Sequence, residues 1–370
     1  MAALALLLVA ADRTQSPAPI EPGTSIPLRD SAEAGFPLGW YDSLDSRGGV
    51  FDIAQQGMNM VLPYHTDDGN PKAYLDAAIA AGVQVVLEID RSLVKTSDSG
   101  AVRDYVARYK EHPAVYGWYL ADEPTTTKDL GPLSPKDANR LYRAIKDEDG
   151  DRPVAVAFGA HERAERFRHA MDVMLFDDYP VRSGQPEFGG LSQWWDRLRK
   201  RAEIGSEEGG FFPVLQAFGE DDQGNAQFGR RLPTEREQRY MVYSSVQAGA
   251  TGLLFWNRYR AADKWIDQVL VPIVAELRTL GPALGSGDIR GVSSDEAAVS
   301  VSLFRDPRSR EYRLLAVHHG EGTVTANVSL GSPVDEKRVY AWGEAHEIDA
   351  TGGAFKDTFG PFETRLYNLT

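Results

Sequence analysis

Residues 116–124 read Tyr116-Gly117-Trp118-Tyr119-Leu120-Ala121-Asp122-Glu123-Pro124. An apolar, aromatic-rich run leads into two acids, and a proline then ends it. Apolar at successive positions, the run suits a strand buried on both faces. The proline withholds an amide hydrogen from any ladder, so the acids fall at the C-terminal end of the strand. Helical patterns lie on either side: 101–110 before it, and a segment after it that opens with Ser134 as N-cap and Pro135 as first helical residue. A doubly buried strand set between helices is the unit of a parallel α/β sheet.

The same alternation runs outward in both directions. Strands are expected at 36–41, 58–64, 83–89, 115–120, 153–158, 173–176, 212–217 and 252–256. Helices are expected at 71–81, which stops at Gly82, and at 191–201, 234–248 and 262–280, with a short one near 161–169. Eight strands in strict βα order occupy residues 35–282, close to the ~250 residues of a (β/α)8 TIM barrel. A doubly wound open sheet is the alternative. Eight repeats, and the lack of G-x-G-x-x-G after the first strand, speak against it. Beyond Gly281-Pro282 come short alternating segments at 299–304, 312–318, 323–330, 337–342 and 364–369, separated by turns bearing Gly, Pro and Asp. These predict a small antiparallel β-sandwich over 288–370 that shares an apolar interface with the barrel.

The chain has 370 residues, 42% hydrophobic and 25% charged, which excludes a disordered, collagen-like or membrane-embedded protein. A formal charge of −14 with no basic block makes nucleic acid and anionic lipid poor partners and fits neutral or cationic substrates better. With no cysteine, disulfides, thiolate metal sites and cysteine nucleophiles are excluded. Residues 2–11, AALALLLVAA, resemble the apolar core of a signal peptide without its basic start, and 12–34 read as a linker. A secreted or periplasmic monomer is expected. The apolar run is about half the length of a membrane span, so no membrane partner is expected.

In a barrel of this kind the chemistry gathers at the C-terminal ends of the strands. Those ends carry Tyr41-Asp42, His65, Glu88, Asp122-Glu123, His161-Glu162, Asp177-Asp178-Tyr179-Pro180, Gln216 with Glu220 beyond it, and Trp256-Asn257. Carboxylates serve as acid, base or nucleophile at an acetal. Aromatic faces stack on the C–H faces of sugar rings. A single carboxylate at a strand end is more often half of a salt bridge. The coincidence of so many reads as a carbohydrate cleft.

Residues 118–124, W-Y-L-A-D-E-P, resemble the Asn-Glu-Pro signature of clan A glycoside hydrolases, and more closely the W-Y-x-x-D-E-P variant of poorly characterised members of that (β/α)8 superfamily. The resemblance implies a glycosidase with Glu123 as general acid/base and Asp122 where Asn usually stands. Residues 177–180 resemble the sixth-strand D-x-Y-P segment, which places Tyr179 at the border of the cleft. Trp256 resembles the eighth-strand Trp that floors the sugar site, and 359–367 resemble the closing strand of the sandwich often fused behind such barrels. The departure is at strand seven. Clan A enzymes carry a nucleophilic Glu there, and this chain has Gln216-Ala217. Three readings stay open. Glu220 reaches back as nucleophile. Or Asp178, Glu88 or Asp42 activates water, giving an inverting enzyme. Or the barrel binds carbohydrate without cleaving it. Gln216 binds a hydroxyl in each, and Tyr41, Asp42, His65, Glu88, Asp122, Tyr179, Trp256 and Asn257 complete the substrate-binding set.

No H-E-x-x-H, G-x-S-x-G or P-loop pattern occurs, and His318-His319 falls on a strand where neighbours face opposite ways. No metal or other cofactor is expected.

Overall fold

The computed structural model describes residues 35–43, 49–64, 71–125, 132–159, 163–220, 227–284, 289, 291–332, 334–335, 337–342, 347–350 and 352–370. The signal-like segment and linker, His65, and His161-Glu162 lie outside the described residues.

Eight parallel strands close into a barrel in sequence order: β1 (Leu38–Ser43), β2 (Met60–Tyr64), β3 (Gln84–Glu88), β4 (Val115–Asp122), β5 (Val154–Gly159), β6 (Val173–Asp177), β7 (Gly210–Gln216) and β8 (Leu253–Trp256). β8 returns to β1 through the pairs Leu38–Leu253, Gly39–Leu254 and Trp40–Phe255. Gly39 is required where β1 meets β2, because a Cβ there would stand 2.4 Å from the Met60 carbonyl oxygen. The helices are α1 (Gly49–Gln55), α2 (Pro71–Ala81), α3 (Arg91–Thr96), α4 (Ser99–Tyr109), α5 (Pro135–Glu148), α6 (Leu191–Glu208), α7 (Glu235–Gln247) and α8 (Val271–Leu284). The sequence reading passes over α1 and α3, which at seven and six residues are too short to show a helical period. The expected short helix is a 3₁₀ turn at Ala164–Ala170.

Strand residues alternate between two cores. Tyr41, Met60, Leu62, Val86, Tyr119, Ala155, Ala157, Val173, Leu175, Phe212, Val214 and Leu254 fill the barrel interior. Their neighbours, such as Trp40, Val61, Leu87, Phe158, Phe176 and Leu215, pack outward with the surrounding helices. This period of two decides which polar residues reach the mouth.

The C-terminal unit has a five-stranded sheet, β10 (Val299–Arg305), β11 (Tyr312–His318), β16 (Thr364–Leu369), β13 (Val339–Ala341) and β14 (Glu347–Ile348), in that spatial order. A three-stranded sheet, β15 (Ala354–Phe359), β12 (Val324–Leu330) and β9 (Val292–Ser294), faces it. Leu303, Leu314, Ala316 and Tyr367 point between the sheets. Their neighbours Phe304, Leu315, Val317 and Leu366 belong instead to the barrel's outer core. The sandwich is thus fused to the barrel by the second face of its larger sheet. Among the described residues no helix is long and apolar enough to cross a membrane.

Candidate active site

Extending the interior positions by one more step along each strand identifies the mouth. Val86 leads to Glu88, Ala157 to Gly159, Leu175 to Asp177, Val214 to Gln216 and Leu254 to Trp256. Strand β4 breaks the rhythm. Its register against β5 shifts between Tyr119 and Ala121, so that Asp122 pairs with the inward residue Ala157. This bulge turns Asp122 inward, three residues after Tyr119 instead of two or four. The Tyr119 hydroxyl donates to the Asp122 carboxylate at 2.9 Å and lies 3.4 Å from the Tyr41 hydroxyl. Burial, reinforced by the Asp122 carboxylate, pushes the Tyr119 phenol well above the usual tyrosine range, so it stays a neutral donor. Arg91 pairs with Glu88 at 2.8 Å, both buried, and also feels the Asp122 charge. Burial alone would lower the Arg91 guanidinium, but Glu88 outweighs it and holds it above its ordinary value.

Strict alternation would send Glu123 outward once Asp122 points in. The backbone corrects this. Glu123 has φ of 40°, in the left-handed region, while its amide stays bonded to the Ala157 carbonyl at 3.0 Å. A non-glycine residue held there is strained, and such strain concentrates at functional positions. The turn lays the Glu123 carboxylate over Gly159. A Cβ on Gly159 would stand 2.3 Å from Glu123 Oε1. The carboxylate thus occupies the place of an inward side chain on β5, and the adjacent inward position on β6 is Asp177, the register partner of Gly159.

The other expected residues divide. Asp178 is one step past Asp177 and turns away from the mouth, its carboxylate 2.6 Å from Arg197 of α6. It was expected as one candidate base, with Glu88 and Asp42; its side chain links β6 to α6 through Arg197. Asp42, one step past Tyr41, is fully buried and accepts from the Tyr74 hydroxyl of α2 at 3.0 Å. Gln216 points inward but binds the fold instead of a hydroxyl. Its amide oxygen accepts from Val181 N, and its Nε2 faces the carbonyls of Val181, Phe218 and Arg231, all at 2.9–3.1 Å. Glu220 follows Gly219, whose position beside the Arg231 carbonyl carbon has no room for a Cβ. It stands on that packed segment, within electrostatic reach of Arg231. Asn257 is fully buried, and neither amide atom has a hydrogen-bond partner among the described residues. Tyr41 lies beneath the mouth, fully buried, edge-on to Tyr119.

The side of the mouth opposite the carboxylates is aromatic. Trp256 stacks on Tyr179 with ring centroids 5.3 Å apart and meets Phe218 edge-on at 4.6 Å and Phe228 at 5.9 Å. Tyr179 and Trp256 were expected here. Asp177 was named at the end of strand six but given no catalytic role, although the alternation through Val173 and Leu175 already points to it; Gly159 and Phe228 were not singled out. Among the described residues no group of three His, Asp or Glu side chains is placed to hold a metal ion.

No family model matches the sequence, and no curated protein matches it. Solved structures do match by fold. A GH27 β-L-arabinopyranosidase from Geobacillus stearothermophilus superposes with a TM-score of 0.58 at 13% identity, covering 92% of this chain and 99% of its own. A glycoside hydrolase family 5 protein from Bacteroides vulgatus gives 0.58 at 14% identity, over 90% and 89%. An α-amylase from Geobacillus thermoleovorans gives 0.57 at 10% identity, over 91% and 98%. The fold is therefore the (β/α)8 barrel with C-terminal β-sandwich found among glycoside hydrolases, as the sequence resemblance implied.

Proposed function

We propose that the protein hydrolyses O-glycosidic bonds in an oligo- or polysaccharide, with Glu123 as general acid/base and Asp177 as its partner carboxylate. The observation that carries this is that the Glu123 carboxylate lies over Gly159, whose register partner on β6 is Asp177, in a mouth that Trp256 also lines. A sugar ring stacked on Trp256 would present its anomeric carbon to the two acids. Neighbouring strands lie ~4.8 Å apart, which favours the short carboxyl separation of retaining enzymes, ~5–5.5 Å, over the ~6.5–9.5 Å that leaves room for an inverting water.

In this mechanism the Glu123 carboxyl protonates the glycosidic oxygen as the C–O bond breaks, and the leaving sugar departs as an alcohol. The Asp177 carboxylate attacks the anomeric carbon and forms a glycosyl ester. Glu123, now a carboxylate, takes a proton from water as that water displaces Asp177, which restores both groups and retains the anomeric configuration. Asp122 accepts from the Tyr119 hydroxyl and interacts with the Arg91 charge, which fixes its carboxylate at the mouth next to Glu123. The test is turnover of polysaccharides and aryl glycosides, with the first-formed product anomer read by NMR. Hydrolysis with retention supports the assignment. An inverted product removes Asp177 as nucleophile, and the absence of turnover on every class favours a carbohydrate-binding barrel.

A further inference from the structure

Among the described residues the exposed large hydrophobic side chains are Phe51, Phe228 and Tyr259, and the last two share one rim of the mouth. The Arg260 guanidinium covers both rings, 4.9 Å from the Phe228 centroid and 5.5 Å from that of Tyr259. Phe228 is 62% exposed yet continuous with the mouth, 5.9 Å from Trp256. Its φ of 52° lies in the left-handed region, an outlier for a bulky side chain. The turn is closed by Arg230 N donating to Gln227 O at 2.9 Å and anchored by Gln227 N to Gly219 O at 2.6 Å. A strained backbone that holds an aromatic ring in water serves no core.

The charge at this rim is unbalanced. Ser183 N donates to Gly229 O at 3.0 Å, which sets the segments bearing Arg182 and Arg230 side by side. Among the described residues neither arginine makes a direct ion pair; Arg230 feels the Asp178 charge, but that carboxylate is itself paired with Arg197 at 2.6 Å. Burial, and next the Arg182 charge, hold the Arg230 guanidinium below its usual range. Arg260 Nε is likewise buried without a hydrogen-bond partner. Arginines gathered without a direct ion pair on the rim of a chain carrying −14 suit an anion from outside.

We propose that Phe228, Arg182, Arg230 and Arg260 form an outer subsite for a uronic acid unit of the saccharide, its C–H face on Phe228 and its carboxylate on the arginines. The reading rests on the glycosidase assignment and narrows the substrate to acidic glycans, where the charge of the whole chain pointed to neutral or cationic ones. Planar guanidinium groups suit a carboxylate by paired hydrogen bonds.

The experiment uses binding, so that it does not depend on turnover. The full chain carrying Glu123→Gln is titrated with uronate-bearing oligosaccharides and with neutral ones of matched length. The expected result is binding of the acidic series tighter by about tenfold or more, the worth of a charged hydrogen bond, and weakened by salt. Arg182→Gln with Arg230→Gln, in variants whose melting temperature is unchanged, should cancel that preference, and Phe228→Ala should weaken both series. Equal binding of acidic and neutral series, or a preference that survives loss of both arginines, overturns the proposal. Uronate binding without hydrolysis by the wild type would overturn the hydrolase reading alone. Hydrolysis without uronate preference would overturn this one alone.

Discussion

At the scale of single residues, the site turns on one position in each of two consecutive pairs. Asp122-Glu123 and Asp177-Asp178 look alike in the sequence, and a strand allows only one of each pair to face the mouth. On β6 the period of two decides for Asp177, and that was legible from the apolar residues before it. On β4 the bulge after Tyr119 and the left-handed turn at Glu123 bring both acids in. Neither device leaves a mark in composition or periodicity. Gly159 is the quiet partner of this arrangement, because the space of its missing Cβ holds the Glu123 carboxylate. Gly159→Ala should therefore displace that carboxylate and lower kcat by ~10²-fold, as a misplacement of about 1 Å does, while far-ultraviolet circular dichroism stays as in the wild type. Wild-type kcat in Gly159→Ala would mean that Glu123 does not work from this position.

At the scale of elements, the segment joining β7 to α7 is organised by Glu237. Its fully buried carboxylate accepts from Arg231 at 2.6 and 2.7 Å, from Phe188 N at 2.8 Å and from Thr234 N at 2.9 Å. The last bond completes a capping box with the Thr234 side chain, and the T-x-x-E spacing of 234–237 was there to be read. Burial works against the Glu237 charge, but Arg231 and the backbone donors outweigh it and hold the carboxyl below its ordinary value. A depressed carboxyl stabilises the fold fully above its unfolded pKa, ~4.3. That stability is lost as pH falls through the lower folded value. Glu237→Gln should cost roughly 2–4 kcal/mol by urea denaturation at pH 7, toward the low end for a broken buried pair because Arg231 keeps some contact with water. The loss should shrink toward pH 3. The same segment explains why strand seven carries no carboxylate, since Gln216 ties it to Val181 and Arg231 through both ends of an amide. A glutamate lacks those donors.

At the scale of the whole molecule, barrel and sandwich meet at His319. Its ring stacks on Trp195 of α6 at 4.0 Å, and its nitrogens lie 3.0 Å from the Tyr240 hydroxyl and 2.6 Å from the Ser300 hydroxyl. Phe362 packs beside it against Tyr240 and Phe188. Burial, then the charges of His318 and Arg199, bring His319 down to about 3. A histidine kept neutral in the fold contributes full stability above its unfolded pKa of ~6.5 and loses it as pH falls toward the folded value, by at most ~1.4 kcal/mol per pH unit. Melting curves between pH 7 and pH 4 should show the wild type losing stability more steeply than His319→Gln. Parallel slopes would place the histidine outside the junction. The fold at this scale was legible because eight buried strands leave eight apolar runs. The edge strands β9, β14 and β15 were not, being short or mostly polar, with few residues facing the core. That the larger sheet also packs on the barrel was foreshadowed by continuous apolar runs such as Leu314–Val317, which strict alternation would not produce.

The most direct test of the catalytic assignment compares Glu123→Gln, Asp177→Asn and Asp178→Asn on one glycoside that the wild type cleaves. Loss of kcat by ~10² to 10⁴-fold in the first, as for removal of a general acid, and by at least as much in the second, is predicted. Asp178→Asn should stay within about tenfold of wild type, since the carboxylate it removes is paired with Arg197 of α6 in a partly exposed ion pair. An inactive Asp178→Asn beside a fully active Asp177→Asn would contradict the account.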